Sequence, residues 1–134
     1  MRIEGACHCG TIAYEAEVNP QKATMCHCAD CQMFSGAPFR ASVPAKAQDF
    51  RLLKGEPRIY VKTAESGTPR AQGFCETCGT PIFACAPENP TVYMLRLGAV
   101  KQRAQISPQR QIWCSAALPW AQNISMVPGV PDQR

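Results

Sequence analysis

The chain has 134 residues, a length that suits one domain, and its 46% apolar and 18% charged residues suit a globular fold rather than a disordered one. The net charge of +4 is mild and its Lys and Arg are scattered, with no basic block interleaved with aromatics, so nucleic acid is not an expected partner. No apolar run approaches the roughly 20 residues of a membrane span, and the opening "MRIEGACHCG" lacks the apolar core of a signal peptide, so a soluble cytoplasmic protein with no membrane association is expected.

Twelve prolines and nine glycines punctuate the chain too often for long helices, and what remains is short alternation. "TIAYEAEV" places Ile12, Tyr14, Ala16 and Val18 on one face and Glu15 and Glu17 on the other, the pattern of a half-buried strand. "ADCQMFSG", residues 29–36, is the one segment that suits a turn or two of helix, with Asp30 as its cap and Gly36 as its end. "FRLL" and "RIYVK" flank the turn "KGEP" and predict a hairpin. "TPIFAC" and "TVYMLRLGAV" are β-rich runs separated by the turn "APENP", and "QIWCSA" predicts a last strand. The tail "VPGVPDQR" is expected to be loose. Many short strands with frequent turns predict a mainly β domain of antiparallel sheets, with at most a short helical turn after the second cysteine cluster.

The nine cysteines are the unusual feature. An odd count leaves one unpaired in any disulfide scheme, and a reducing cytosol disfavours disulfides altogether. Seven of the nine fall in three short clusters, which predicts metal binding. "CETCG" carries Cys75 and Cys78 in the C-x-x-C turn of a zinc knuckle, followed by a glycine that permits positive φ. A redox pair of that spacing needs a helix after it, whereas Pro81 and a β-like run follow. "CHCG" supplies the other half: in an extended strand Cys7 and Cys9 point to the same side while His8 points away. Four thiolates from two distant segments then close one structural site, whose binding energy is largely folding energy.

"CHCADC" places Cys26 and Cys28 on one side of an extended segment, and a turn can bring Cys31 back to them. His27 then faces the other way, as a surface histidine or one behind the ligands. Three ligands and an open fourth place match a catalytic zinc. A second structural site closed by Cys85 or Cys114 is the alternative, and spacing does not choose between them. Taken alone, Cys85 and Cys114 read as small buried residues, since free cysteine behaves as a small hydrophobe.

The succession C-H-C-G, C-H-C-x-x-C-Q and F-C-x-x-C-G-T resembles the family of glutathione-dependent formaldehyde-activating enzymes, which also includes the centromere-protein-V-like proteins. "FRLLKGEPRIY" is similar to the family's F-x-L-x-x-G-x-x-x-x-Y segment, and "PQRQIWCSAALPW" to its closing strand and tryptophan, here Trp120. The resemblance runs over roughly residues 3–121 and implies a zinc-bound β-tent fold. The expected organisation is a single zinc-binding domain over residues 1–125 with a flexible tail at 126–134. The resemblance further implies a structural zinc on Cys7, Cys9, Cys75 and Cys78 and a second, catalytic zinc on Cys26, Cys28 and Cys31. That makes two zincs per chain, the second labile or absent. The implied activity is that of a carbon–sulfur lyase, joining glutathione and formaldehyde into S-hydroxymethylglutathione. On this reading the partners are a small thiol such as glutathione and formaldehyde or a related carbonyl. Zinc would lower the pKa of the incoming thiol, and cationic groups would anchor the carboxylates of glutathione. Arg40, Lys54, Arg58, Lys62 and Arg96 are the candidate cations. The rival reading is a non-catalytic zinc-binding β-domain that docks a protein partner or a different thiol compound.

Overall fold

The computed structural model describes residues 1–133. Ten strands and one α-helix follow in chain order: β1 (Arg2–Ala6), β2 (Ala13–Glu17), β3 (Thr24–Cys26), α1 (Ala29–Ser35), β4 (Arg40–Lys46), β5 (Phe50–Lys54), β6 (Arg58–Thr63), β7 (Pro69–Phe74), β8 (Pro81–Cys85), β9 (Val92–Arg96) and β10 (Arg110–Ile112). They form a three-stranded sheet in the order β1-β2-β5 and a seven-stranded sheet in the order β10-β3-β4-β9-β8-β7-β6. Pairing is antiparallel throughout except that β10 lies parallel to β3. The chain is thus mainly β, as its alternation predicts. No helix among the described residues is long and apolar enough to cross a membrane.

The alternation of β2 works as read: Ile12, Tyr14, Ala16 and Val18 are all buried. They face the second sheet, and a run of rings joins the two layers. Tyr14 packs on Phe50 at 5.2 Å between centroids, Phe50 stacks on Tyr93 at 4.5 Å, and Phe83 meets Tyr93 edge-on at 4.9 Å. Tyr14 and Phe50 belong to the small sheet, Phe83 and Tyr93 to the large one. Pro44 lies in β4 beyond the point where β3 has ended, so β4 keeps one neighbour there and a residue without an N–H is tolerated.

Three local expectations are corrected. The segments around "KGEP" do not form a hairpin, because β5 pairs with β2 and β6 pairs with β7. Gly55, at φ 71°, carries the chain from one sheet to the other. A Cβ there would lie 2.2 Å from the Thr11 carbonyl oxygen, so the crossing runs tight against the β1–β2 connection. Asp30 does not cap α1. The cap is Cys28, whose sulfur accepts from the Cys31 N–H, while Asp30 sits in the first turn; Gly36 ends the helix at φ 62°, as expected. The last strand stops at Ile112, because Trp113 turns left-handed at φ 57° and residues Cys114–Ala116 form a 3-10 turn. A further 3-10 segment, Pro119–Met126, runs into the expected tail, whose final residue, Arg134, lies outside the described residues.

Candidate metal centres and the basic wall beside them

Two groups of thiols converge, and each could hold a metal ion. The sulfurs of Cys7, Cys9, Cys75 and Cys78 lie within 4.8 Å of one another, and so do those of Cys26, Cys28 and Cys31.

The first group joins two turns. Cys7 and Cys9 were expected on an extended strand, but β1 ends at Ala6 and both lie in the turn that follows. There the Gly10 N–H donates to the Cys7 carbonyl at 3.1 Å, with Gly10 at φ 82°. The second turn is built alike: the Gly79 N–H donates to the Cys75 carbonyl at 2.7 Å, with Gly79 at φ 79°. Each glycine supplies the left-handed residue that lets its turn aim two sulfurs inward. Cys9 Sγ then lies 3.6 Å from Cys7 Sγ and 3.7 Å from Cys75 Sγ. His8 stays outside, its N–H donating to the Thr80 hydroxyl. Polar groups favour the thiolate form at Cys78 and Cys7, whereas at Cys9 the Thr11 contacts that favour it are outweighed by desolvation and the neighbouring Cys7 and Cys78 thiols, which raise that thiol. The Thr80 hydroxyl and the Cys9 and Thr80 backbones hold the Cys78 thiol down to about 5. At Cys7 burial opposes ionisation, but the Ile12 N–H and the Thr11 hydroxyl prevail and lower its thiol to about 7.

The second group forms where β3 runs into α1. Cys26 ends the strand, Cys28 caps the helix and Cys31 lies buried in the helix's first turn. No fourth Cys, His, Asp or Glu among the described residues joins them. Cys85 is buried in β8, as expected of a small hydrophobe. Cys114 is exposed, contrary to expectation, because the left-handed Trp113 turns the chain outward. His27 faces away from the sulfurs, yet it is not a surface residue. It is buried, its N–H donates to the Ile112 carbonyl, and its Nε2 lies 2.7 Å from Gln111 Oε1, so it clasps β10 to β3. Burial pushes the Cys26 thiol up to about 12. The Cys28 thiol is lowered: its burial is outweighed by the Cys31 N–H, the neighbouring thiols and the Lys62 cation.

These three thiols open on a cavity of about 220 Å³ with a basic wall. Of the five cations proposed from sequence, Arg40, Lys62 and Arg96 line it. Lys54 and Arg58 do not; Arg58 pairs instead with Glu76 on the surface. Arg70 and Gln72 also line it and were missed. The alternation Arg70, Gln72, Phe74 along "PRAQGF" was the signal that could have found them. Lys62 reaches Asp30 at 2.7 Å, whereas no acidic side chain pairs with Arg40, Arg70 or Arg96 among the described residues. Arg96 is 8% exposed and donates to the Ser42 hydroxyl at 2.6 Å and to Gln72 Oε1 at 3.2 Å. Arg40 donates to the same Gln72 oxygen at 3.1 Å, while its own Nε is buried without a partner. Burial, and then the neighbouring Arg40, lower the Arg96 guanidinium to about 9.

The comparisons with known proteins agree with this architecture. A Halomonas elongata protein named "Putative glutathione-dependent formaldehyde-activating enzyme" is 23% identical over 114 residues, covering 82% of this chain and 73% of its own. An uncharacterized lyase of Schizosaccharomyces pombe is 22% identical over 113 residues, covering 81% and 76%. The crystal structure of a Rhodobacter sphaeroides protein shares the fold, with a TM-score of 0.61 at 22% identity over 81% of this chain and 98% of that one. The family model described as "Glutathione-dependent formaldehyde-activating enzyme" matches residues 2–116, and the chain belongs to that family.

Proposed function

We propose that the protein is a zinc-dependent carbon–sulfur lyase acting in the bond-forming sense, joining a small thiol such as glutathione to formaldehyde or a related small carbonyl. One observation carries this reading. Among the described residues, Cys26, Cys28 and Cys31 converge without a fourth ligand, beside a cavity whose wall holds three arginines with no acidic partner and Lys62, which pairs with Asp30. The four-thiol group is the structural counterpart, with zinc held by Cys7, Cys9, Cys75 and Cys78. Its sulfur separations of 3.6 and 3.7 Å suit tetrahedral coordination, in which sulfurs about 2.3 Å from zinc stand roughly 3.8 Å apart. The activity resides in a single domain over residues 1–125. All nine cysteines are free, which suits the reducing cytoplasm.

Zinc on Cys26, Cys28 and Cys31 would supply a Lewis acid that keeps an incoming thiol ionised near neutral pH. The chain's own residues do the rest. The Cys28 sulfur is held by the Cys31 N–H, which fixes it at the start of α1. Lys62 and the three arginines draw the carboxylates of the thiol compound into the cavity and hold its sulfur near the trio. In the reaction the sulfur–carbon bond forms as the carbonyl π pair moves to oxygen. Oxygen takes up one proton and the thiol gives one up, so no oxidant, reductant or net proton is needed. The test is the rate of S-hydroxymethylglutathione formation above the spontaneous reaction. Cys28→Ser should return that rate to the spontaneous one while leaving the fold intact, and full activity in that variant would overturn the reading.

A further inference from the structure

A second cavity, of about 400 Å³, shares Arg40, Gln72 and Arg96 with the cavity at the three thiols. Its remaining walls are aromatic and apolar, chiefly Phe34, Tyr60, Phe74 and Phe83. Gly73 keeps it open beside β7: a Cβ there would lie 2.6 Å from the Phe83 ring. Phe34 and Tyr60 stand 6.1 Å apart, and the Arg40 guanidinium lies over Phe34 at 5.4 Å from the ring centroid. The polar end therefore holds two guanidinium groups that share one amide oxygen and have no acid partner. Buried cations normally have one, because desolvation is costly. An apolar body among rings, joined to a single planar anion on paired guanidinium groups, meets both halves of the cavity. A phosphate dianion fits less well, since its heavier hydration would have to be shed against the rings.

We infer that this cavity binds an organic carboxylic acid, its carboxylate on Arg40 and Arg96 and its flat apolar body among Phe34, Tyr60, Phe74 and Phe83. The site stands on its own geometry. Only its position beside the reacting sulfur rests on the proposed thiol chemistry, where it would hold either a carboxylate of the thiol compound itself or a separate acid.

The experiment is calorimetric titration of the zinc-loaded full chain with phenylacetate, its neutral analogue phenylacetamide, and acetate. Phenylacetate should bind at least about tenfold more tightly than either, the amide lacking the charge and acetate the apolar body. Equal binding of phenylacetate and phenylacetamide would overturn the proposal, and that comparison needs no variant. Arg96→Met should weaken phenylacetate by at least about tenfold, since a charge-assisted contact is lost. Unchanged affinity in Arg96→Met would likewise overturn it. Cys28→Ser should bind phenylacetate as the parent does, so loss of the adduct reaction and loss of acid binding are separate results. Competition in Cys28→Ser identifies the source of the carboxylate. Displacement of phenylacetate by glutathione supports the site and assigns it to the thiol substrate. Retention of phenylacetate supports the site and assigns it to a second acid.

Discussion

Removing the four-thiol group should cost far more stability than removing the three-thiol group, although on the proposed zinc reading both changes delete metal ligands. The reason is the length of chain that each closes. Cys9 and Cys75 meet across 66 residues, tying the β1–β2 connection to the turn between β7 and β8. The chain-entropy relation for a cross-link of that span gives about 4 kcal/mol. Cys26 and Cys31 lie five positions apart, for which the same relation gives about 2 kcal/mol. That segment is already joined locally by the Cys28 cap and by the Ser35 hydroxyl bonded to the Cys31 carbonyl. For a chain of this size each kcal/mol moves the melting temperature by roughly 3–5 °C. Cys75→Ser/Cys78→Ser should therefore melt about 12–20 °C below the parent in zinc-loaded form, and Cys26→Ser/Cys28→Ser less than about 10 °C below it. Circular dichroism melts of the three proteins in excess zinc provide the readout. Equal losses, or a larger loss from the three-thiol variant, would refute the assignment of the four-thiol group as the structural centre.

With zinc in both thiol groups, as proposed, acid should release the two ions in order. Protons compete with metal for sulfur, so the group whose thiols hold protons more tightly loses its metal at higher pH. In the three-thiol group burial raises Cys26 to about 12 while Cys28 is lowered. In the four-thiol group Cys9 is raised but Cys7 and Cys78 are lowered, to about 7 and about 5, so the three-thiol group holds protons more tightly. A chromophoric chelator should thus report two steps as the pH falls, and Cys26→Ser/Cys28→Ser should lack the one at higher pH; a surviving first step would contradict this order. Gly5→Ala should destabilise by about 1–3 kcal/mol, because a Cβ at Gly5 would lie 2.1 Å from the ring of the buried Tyr14. A lower urea midpoint at unchanged slope is the expected signature, and an unchanged midpoint would show that the ring can move aside. Lys62→Met should raise the KM for glutathione roughly tenfold with kcat little altered, as expected on losing one charge-assisted contact at the cavity. An unchanged KM would remove Lys62 from thiol binding.

The cysteine spacing by itself determined which thiols would meet within each short cluster, whereas the meeting of Cys7 and Cys9 with Cys75 and Cys78 needed the tertiary fold. C-x-C and C-x-x-C pairs converge because the chain between them is too short to do otherwise, in a strand or in the turn that Cys7 and Cys9 occupy. Alternation in "TIAYEAEV" likewise named the buried face of β2, since side chains two apart share a face. Periodicity says which face is buried but not which strand comes to lie beside it. Tertiary pairing therefore decided that β5 and β6 part into different sheets, and that β10 returns parallel to β3 with His27 clasped against Gln111. It also decided the basic wall. Arg40, Arg70 and Arg96 lie on three different strands, and each alone reads as an ordinary surface cation. They meet because β4 and β9 pair directly and β8 sets β7 beside them, a long-range register that no local stretch encodes.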